Sequence, residues 1–286
     1  MNDIKTIKID SNNIYKSFYD NFGISRDDLH KYIFDNLTEL LCVDSVKDIR
    51  ILKFINYITS FSHNDDSIDR ITISHLTTRR SLKELEDNDI KNLFNTLSEQ
   101  TTLSNHFSKH SITFKKYKGI LQMYKCNRLI NLKDYYRGSC DANARMISRR
   151  FEGNSFYGPD KCVNGYLFSK SLECEGDIRH IQYYPEILSD ISNVLKTRKL
   201  IDDWPQNNRT FKVSFWIDVA NITFDDNKYL NVKRKVFLLY RYLLAFIIKE
   251  LYPNWQAYKN PMIRLKDGLD VNRTDIHKIT EIENRC

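Results

Sequence analysis

The sequence predicts a mixed α/β chain in two parts, a mostly helical half over residues 1–140 and an α/β half over residues 141–286. Three observations predict it. The chain has 286 residues, more than one typical domain, with 41% hydrophobic and 13% aromatic side chains to fill a core. Apolar residues recur at helical spacing through the first hundred positions and alternate in strand fashion after position 209. A polar, glycine-bearing passage, Arg137 to Gly165, separates the two and holds four of the eight glycines.

The first helix is predicted over "SRDDLHKYIFDNLTELL" (Ser25 to Leu41). Ser25 is a cap candidate, acids occupy the first turn, and Leu29, Ile33, Leu37 and Leu40 form one face. A second follows over Ser45 to Phe61, ended by the polar run Ser62 to Ser67. Next come "DRITISHL", a helix in "LEDNDIKNLFNTLSEQTTL" with the stripe Ile90, Leu93, Phe94 and Leu97, and the strand-like "SITFKKYKGILQMY". From about Val46 to Ile120 this order resembles a winged helix, with "SITFKKY" in the wing. Such a domain reads DNA or docks proteins.

The formal charge is +7 and the isoelectric point about 8.9, which suits a polyanionic partner such as double-stranded DNA. Arg145, Arg149 and Arg150 cluster in the connecting passage and are the candidate phosphate contacts; a solvated helix face is the plain alternative. Six scattered cysteines without a CxxC pair, and no secretory signal at the start, predict reduced thiols in a cytoplasmic protein. No membrane span is expected. The most apolar run, Val236 to Ile248, is short and carries Arg241.

In the second half, "FKVSFWIDV" and "KYLNVK" read as a hairpin around "TFDDN", with a helix starting near Lys170 ahead of it. A helix carboxylate, a strand acid and a strand lysine are the parts of a PD-(D/E)xK nuclease site. The acids hold a divalent metal that activates water, and the lysine orients that water or stabilises the departing oxygen.

In order, "RRFEGN", "YLFSKSLE", "IRHIQYYPEI", "RTFKVSFWID" and "YLNVKRK" resemble segments of TnsA, the endonuclease subunit of heteromeric Tn-type transposases. The likeness covers about Arg149 to Lys235. It implies a C-terminal restriction-endonuclease-like fold, Mg2+ or Mn2+ as cofactor, cleavage of one DNA strand at transposon ends, and an integrase-like transposase as partner. Carried over by position, Glu173 is the helix glutamate and metal ligand, Lys233 the catalytic lysine, and Asn231 stands two residues before it.

The family's strand aspartate falls on Ser214, a departure from the pattern. Asp218, four residues on, is the substitute ligand only if the strand bulges or slips register, since it lies roughly 13 Å along an extended chain. Glu175 is expected in solvent and Cys174 as a small buried residue. Plain readings stand beside these roles: Glu173 at a helix start, Asp218 as an edge charge and Lys233 as a snorkelling strand residue. The rival function is a non-catalytic DNA-binding or regulatory protein.

Overall fold

The computed structural model describes residues 6–62, 67–154, 158–174, 179–225 and 229–282. From the N-terminus come β1 (Lys8–Ile9), α1 (Ile14–Phe22), α2 (Arg26–Asp35), α3 (Leu37–Leu41), α4 (Ile51–Thr59), β2 (Arg70–Arg79), α5 (Leu82–Asp87), α6 (Leu93–Ser98) and α7 (Thr102–Lys109). Then follow β3 (Ile112–Tyr117), β4 (Ile120–Lys125), β5 (Arg128–Leu129), α8 (Asp141–Glu152), β6 (Asn164–Tyr166), α9 (Glu186–Leu195), α10 (Lys199–Asp202) and α11 (Trp204–Asn207). The chain closes with β7 (Arg209–Asp218), β8 (Ile222–Phe224), α12 (Val232–Leu251), β9 (Met262–Leu265) and β10 (Ile276–Glu281). It is a mixed α/β chain whose sheets are mainly antiparallel.

The two compact units do not follow a cut at residue 140. One takes the described residues of 1–74, Asn164–Lys170 and Ser214–Arg264; the other takes those of His75–Val163, Ser171–Val213 and 265–286. β2 and β7 each run through both. This interleaving also divides the segment read as a winged helix, with α4 in the first unit and α5 to α7 in the second. The single helix expected over residues 85–103 is three. Asn92 accepts the Asn95 N–H at 3.1 Å and Thr101 the Ser104 N–H at 3.1 Å, so each side chain starts a new helix and the previous one stops. Ile90, placed on the helical stripe, instead bridges to Val271.

In the first unit residues 70–74 of β2 lie between residues 214–218 of β7 and β6, with β9 and β8 beyond β6, and β1 pairs in parallel with the start of β2. Gly165 sits in β6 because nothing larger fits: a Cβ there would lie 2.5 Å from Ile73 Cγ2 and 2.9 Å from the Ser74 carbonyl oxygen. α12 is buried along most of its length, as its nearly all-apolar sequence requires. Its Tyr240 ring stands 6.4 Å from Phe22 and 6.5 Å from Phe54, which ties α1 and α4 to it. Its Arg241 Nε donates to the Ile49 carbonyl at 2.9 Å, and burial pulls that guanidinium below its usual pKa, with Asp48 offsetting part of the shift.

In the second unit residues 75–79 and 209–213 continue the two long strands, β10 lies beside β7, and β3, β4 and β5 form a separate antiparallel sheet. Its core gathers Phe107, Phe114, Phe151, Ile191 and Trp204, so the β3–β4 hairpin, α7, α8 and α9 share one interior. Among the described residues no helix is long and apolar enough to cross a membrane.

Candidate nucleic-acid interface

β7 forms as its alternation predicts, with Phe211, Val213 and Phe215 buried. Its expected partner does not. Residues 229–233 contain no strand: Asn231 Oδ1 accepts the Arg234 N–H at 2.9 Å and caps α12, which begins at Val232. The apolar faces of α12 have a core to fill, and the helix therefore extends back over the short "YLNVK" alternation to the first side chain able to cap it. Of the expected turn "TFDDN", Thr223 and Phe224 form part of β8 instead, and residues 226–227 lie outside the described residues. A helix near Lys170 is likewise replaced by a single 3₁₀ turn, Leu172–Cys174, and Glu175 lies outside the described residues.

Each residue assigned to the nuclease site is otherwise engaged. Glu173 Oε2 is 2.8 Å from Lys212 Nζ, and its backbone carbonyl accepts from Gln182 Nε2, whose own carbonyl takes the Thr210 hydroxyl at 3.0 Å. Ser214 is 3% exposed and bonded to Ser74 Oγ at 3.0 Å and Asn12 Nδ2 at 3.2 Å. Asp218 Oδ1 lies 3.0 Å from Arg70 Nε, off the line of the N–H, so the contact is one of charges and not a hydrogen bond. Lys233 is exposed on α12 with its Nζ 5.6 Å from the Phe237 ring centre.

A magnesium site requires several free carboxylate oxygens. Glu173 and Asp218 each already face a cation, Ser214 is neutral, and among the described residues no group of three or more His, Cys, Asp or Glu could hold a metal. These residues do not fit the ion. Cys174, expected to be buried and reduced, is exposed and disulfide-bonded, whereas Cys42, Cys126, Cys140 and Cys162 are free.

The three arginines lie on α8 but are not equivalent. Arg145 pairs with Asp141 at 2.8 Å, which raises its pKa, and its guanidinium sits 4.5 Å over the Tyr136 ring. Arg149 is exposed on the outer face. Arg150 turns inward, 2.5 Å from Glu186 and 3.9 Å from Asp190, a carboxyl that burial pushes above its usual pKa and that Asn143 Nδ2 bonds at 2.9 Å. Arg150 therefore belongs to the packing of α8 on α9.

The stronger feature is the sheet beside α8. Residues 109–150 hold eleven Lys and Arg against two Asp, a formal +9, while the rest of the chain sums to −2. All the excess positive charge of the protein is in this one segment. β3 pairs with β4 through a turn at Lys118 and Gly119, both at positive φ (47° and 81°), the geometry of a tight twisted hairpin that glycine eases. Ile112, Phe114, Leu121 and Met123 face the core, so the tip and outer positions are left to Lys115, Lys116, Tyr117 and Lys118.

Lys109, Lys115, Lys118, Arg128, Lys133 and Arg137 are exposed, and none has an ion pair among the described residues. Aromatic surface is interleaved with them: Lys115 lies 5.1 Å over Tyr124, Lys118 lies 5.3 Å over Tyr117, and Tyr117 and Leu129 are about half exposed. Phe114 meets Phe151 of α8 edge-on at 5.9 Å, which fixes hairpin and helix as one body. The sequence reading weighed the α8 arginines and passed over the hairpin lysines; a running charge count along the chain would have found them. No protein family, no curated protein and no solved structure matches this chain.

Proposed function

We propose that this protein binds duplex DNA through the β3–β4–β5 sheet and the outer face of α8, without cleaving it. The observation that carries this reading is the confinement of the chain's whole positive excess to residues 109–150, with six exposed cations there that have no ion pair among the described residues. Cations held on a stiff hairpin, without carboxylates to neutralise them, release counterions on meeting a phosphate backbone and so bind in a salt-dependent way. Tyr117 at the hairpin tip adds a flat apolar surface for sugars or bases. The resemblance to TnsA would add strand cleavage and a transposase partner. The lysine strand that resemblance needs is the start of α12, and its acids are paired with cations, so the proposal keeps the DNA and leaves out the cleavage.

Fluorescence anisotropy with a labelled duplex across a salt series tests this. Wild type should bind at low salt, with log Kd rising linearly with log salt. Lys115→Glu/Lys118→Glu/Arg128→Glu should weaken binding on the order of 100-fold and reduce the slope by about 3. Absence of binding by wild type at low salt, or an unchanged slope in the triple variant, sinks the proposal.

A further inference from the structure

In the second unit, the end of β2, α5 and the start of α7 line an open pocket of about 440 Å³, large enough for a small ligand. Arg79 lines it with its side chain 19% exposed. Both hydrogen bonds it makes leave from Nη1, to Thr77 Oγ1 at 2.5 Å and to the Thr78 carbonyl at 2.9 Å. A guanidinium has five donors, so most of this one is unused. Glu84 Oε1, 3.7 Å from Nε, is outside hydrogen-bond reach. Burial pulls Arg79 below its usual pKa, and Glu84, its ion-pair partner at 3.7 Å, offsets part of that shift.

Two of the three acids that line the pocket accept other hydrogen bonds, and the third is exposed. Glu84 accepts from the Thr102 hydroxyl through Oε1 and from the Arg80 N–H at 3.1 Å through Oε2. Asp89 accepts the Arg273 N–H at 2.7 Å, and Asp87 is exposed. Two further cations that line it, Arg80 and Lys83, are exposed and have no ion pair among the described residues. The lining has one apolar side chain, Leu103, and no aromatic, so nothing in it would stack a base. A small dianion on a sugar-sized polar body fits this chemistry.

The cavity also adjoins the basic hairpin. Lys91, which lines it, lies 2.5 Å from Glu99, and Glu99 lies 3.6 Å from Lys116 of β3.

The geometry points to a phosphomonoester pocket in which Arg79, Arg80 and Lys83 hold the terminal 5′-phosphate of a DNA strand whose backbone lies on the β3–β4 hairpin. It rests on the DNA-binding reading above. The guanidinium of Arg79 supplies paired N–H donors to the phosphate oxygens, and Arg80 and Lys83 supply charge from the exposed part of the lining.

Two duplexes of one sequence, one with 5′-phosphate and one with 5′-hydroxyl ends, test it by anisotropy. Wild type should bind the phosphorylated duplex about tenfold more tightly, the worth of one or two charge-assisted hydrogen bonds. Arg80→Ala/Lys83→Ala, at exposed positions where folding is not at stake, should abolish that preference. The hairpin triple variant should weaken both duplexes and keep their ratio. Ribose 5-phosphate added in millimolar excess should remove the wild-type preference by occupying the pocket. Equal affinity of wild type for the two duplexes overturns the pocket assignment and leaves DNA binding standing; if ribose 5-phosphate then still binds in an Arg80- and Lys83-dependent manner, the ligand is a free sugar phosphate. If neither duplex binds, the DNA reading itself has failed and the end-binding role falls with it.

Discussion

Two charged regions of this molecule carry the same residue types and do opposite things with them. Around β7 both carboxylates singled out as metal ligands face a cation: Glu173 holds Lys212, and Asp218 faces Arg70. In residues 109–150, on and around the β3–β4–β5 sheet, the cations outnumber the acids, and six of them have no ion pair among the described residues. A paired, half-buried charge has its desolvation offset inside the protein and so stabilises the fold. An exposed cation without a partner contributes little to folding and is available to an outside polyanion. Charge pairing, and not residue type, distinguishes the two regions.

Three measurements would break or sharpen that contrast, beginning with the largest effect. Lys212→Ala strands the Glu173 carboxylate, and urea denaturation should show a loss of about 2 kcal/mol. Adding Glu173→Gln should recover part of it, the excess over additivity being the coupling of the pair. A Lys212→Ala protein of unchanged stability would return Glu173 to the list of available ligands.

Asn231→Ala removes the cap of α12 and should cost about 1 kcal/mol, with DNA affinity unaltered. A fall in affinity without a fall in stability would move residue 231 from scaffold to interface.

The smallest effect is at Asp28. The Ser25 hydroxyl and N–H bond its carboxylate in a capping box and hold its pKa below the usual range. A depressed folded pKa means stability that is complete above the ordinary aspartate value of about 4 and lost as pH falls through the lower folded value. Asp28→Asn should therefore flatten the acid side of the stability profile, and an identical profile would show the box to be energetically idle.

Local patterns of the sequence were legible where a short segment holds all the information. The Ser25–Asp28 box starts α2, the alternation from Phe211 to Phe215 makes β7, and the apolar run after Val236 is a buried helix. β10 was not anticipated, since "IHKITE" buries only Ile276 and has little alternation to reveal it. The misreading of residues 229–233 came from five residues that alternate acceptably as a strand; Asn231, a favoured cap, was the available contrary signal. The helix predicted over residues 85–103 failed in a similar way, its apolar stripe outweighing Asn92 and Thr101.

By itself the sequence determined which segments are amphipathic, which side chains start helices, and that all the surplus positive charge lies between residues 109 and 150. Those properties depend on neighbours within a turn or two of chain, and on composition. Only the tertiary structure decided that β2 and β7 thread two interleaved units, that Lys212 and Arg70 neutralise the carboxylates resembling a metal site, and that Arg79 lines a pocket beside Glu84. Whether a charge is spent or free depends on what lies within about 4 Å of it in space. For Glu173 and Lys212 that neighbour is thirty-nine residues away along the chain, a separation that no local pattern encodes.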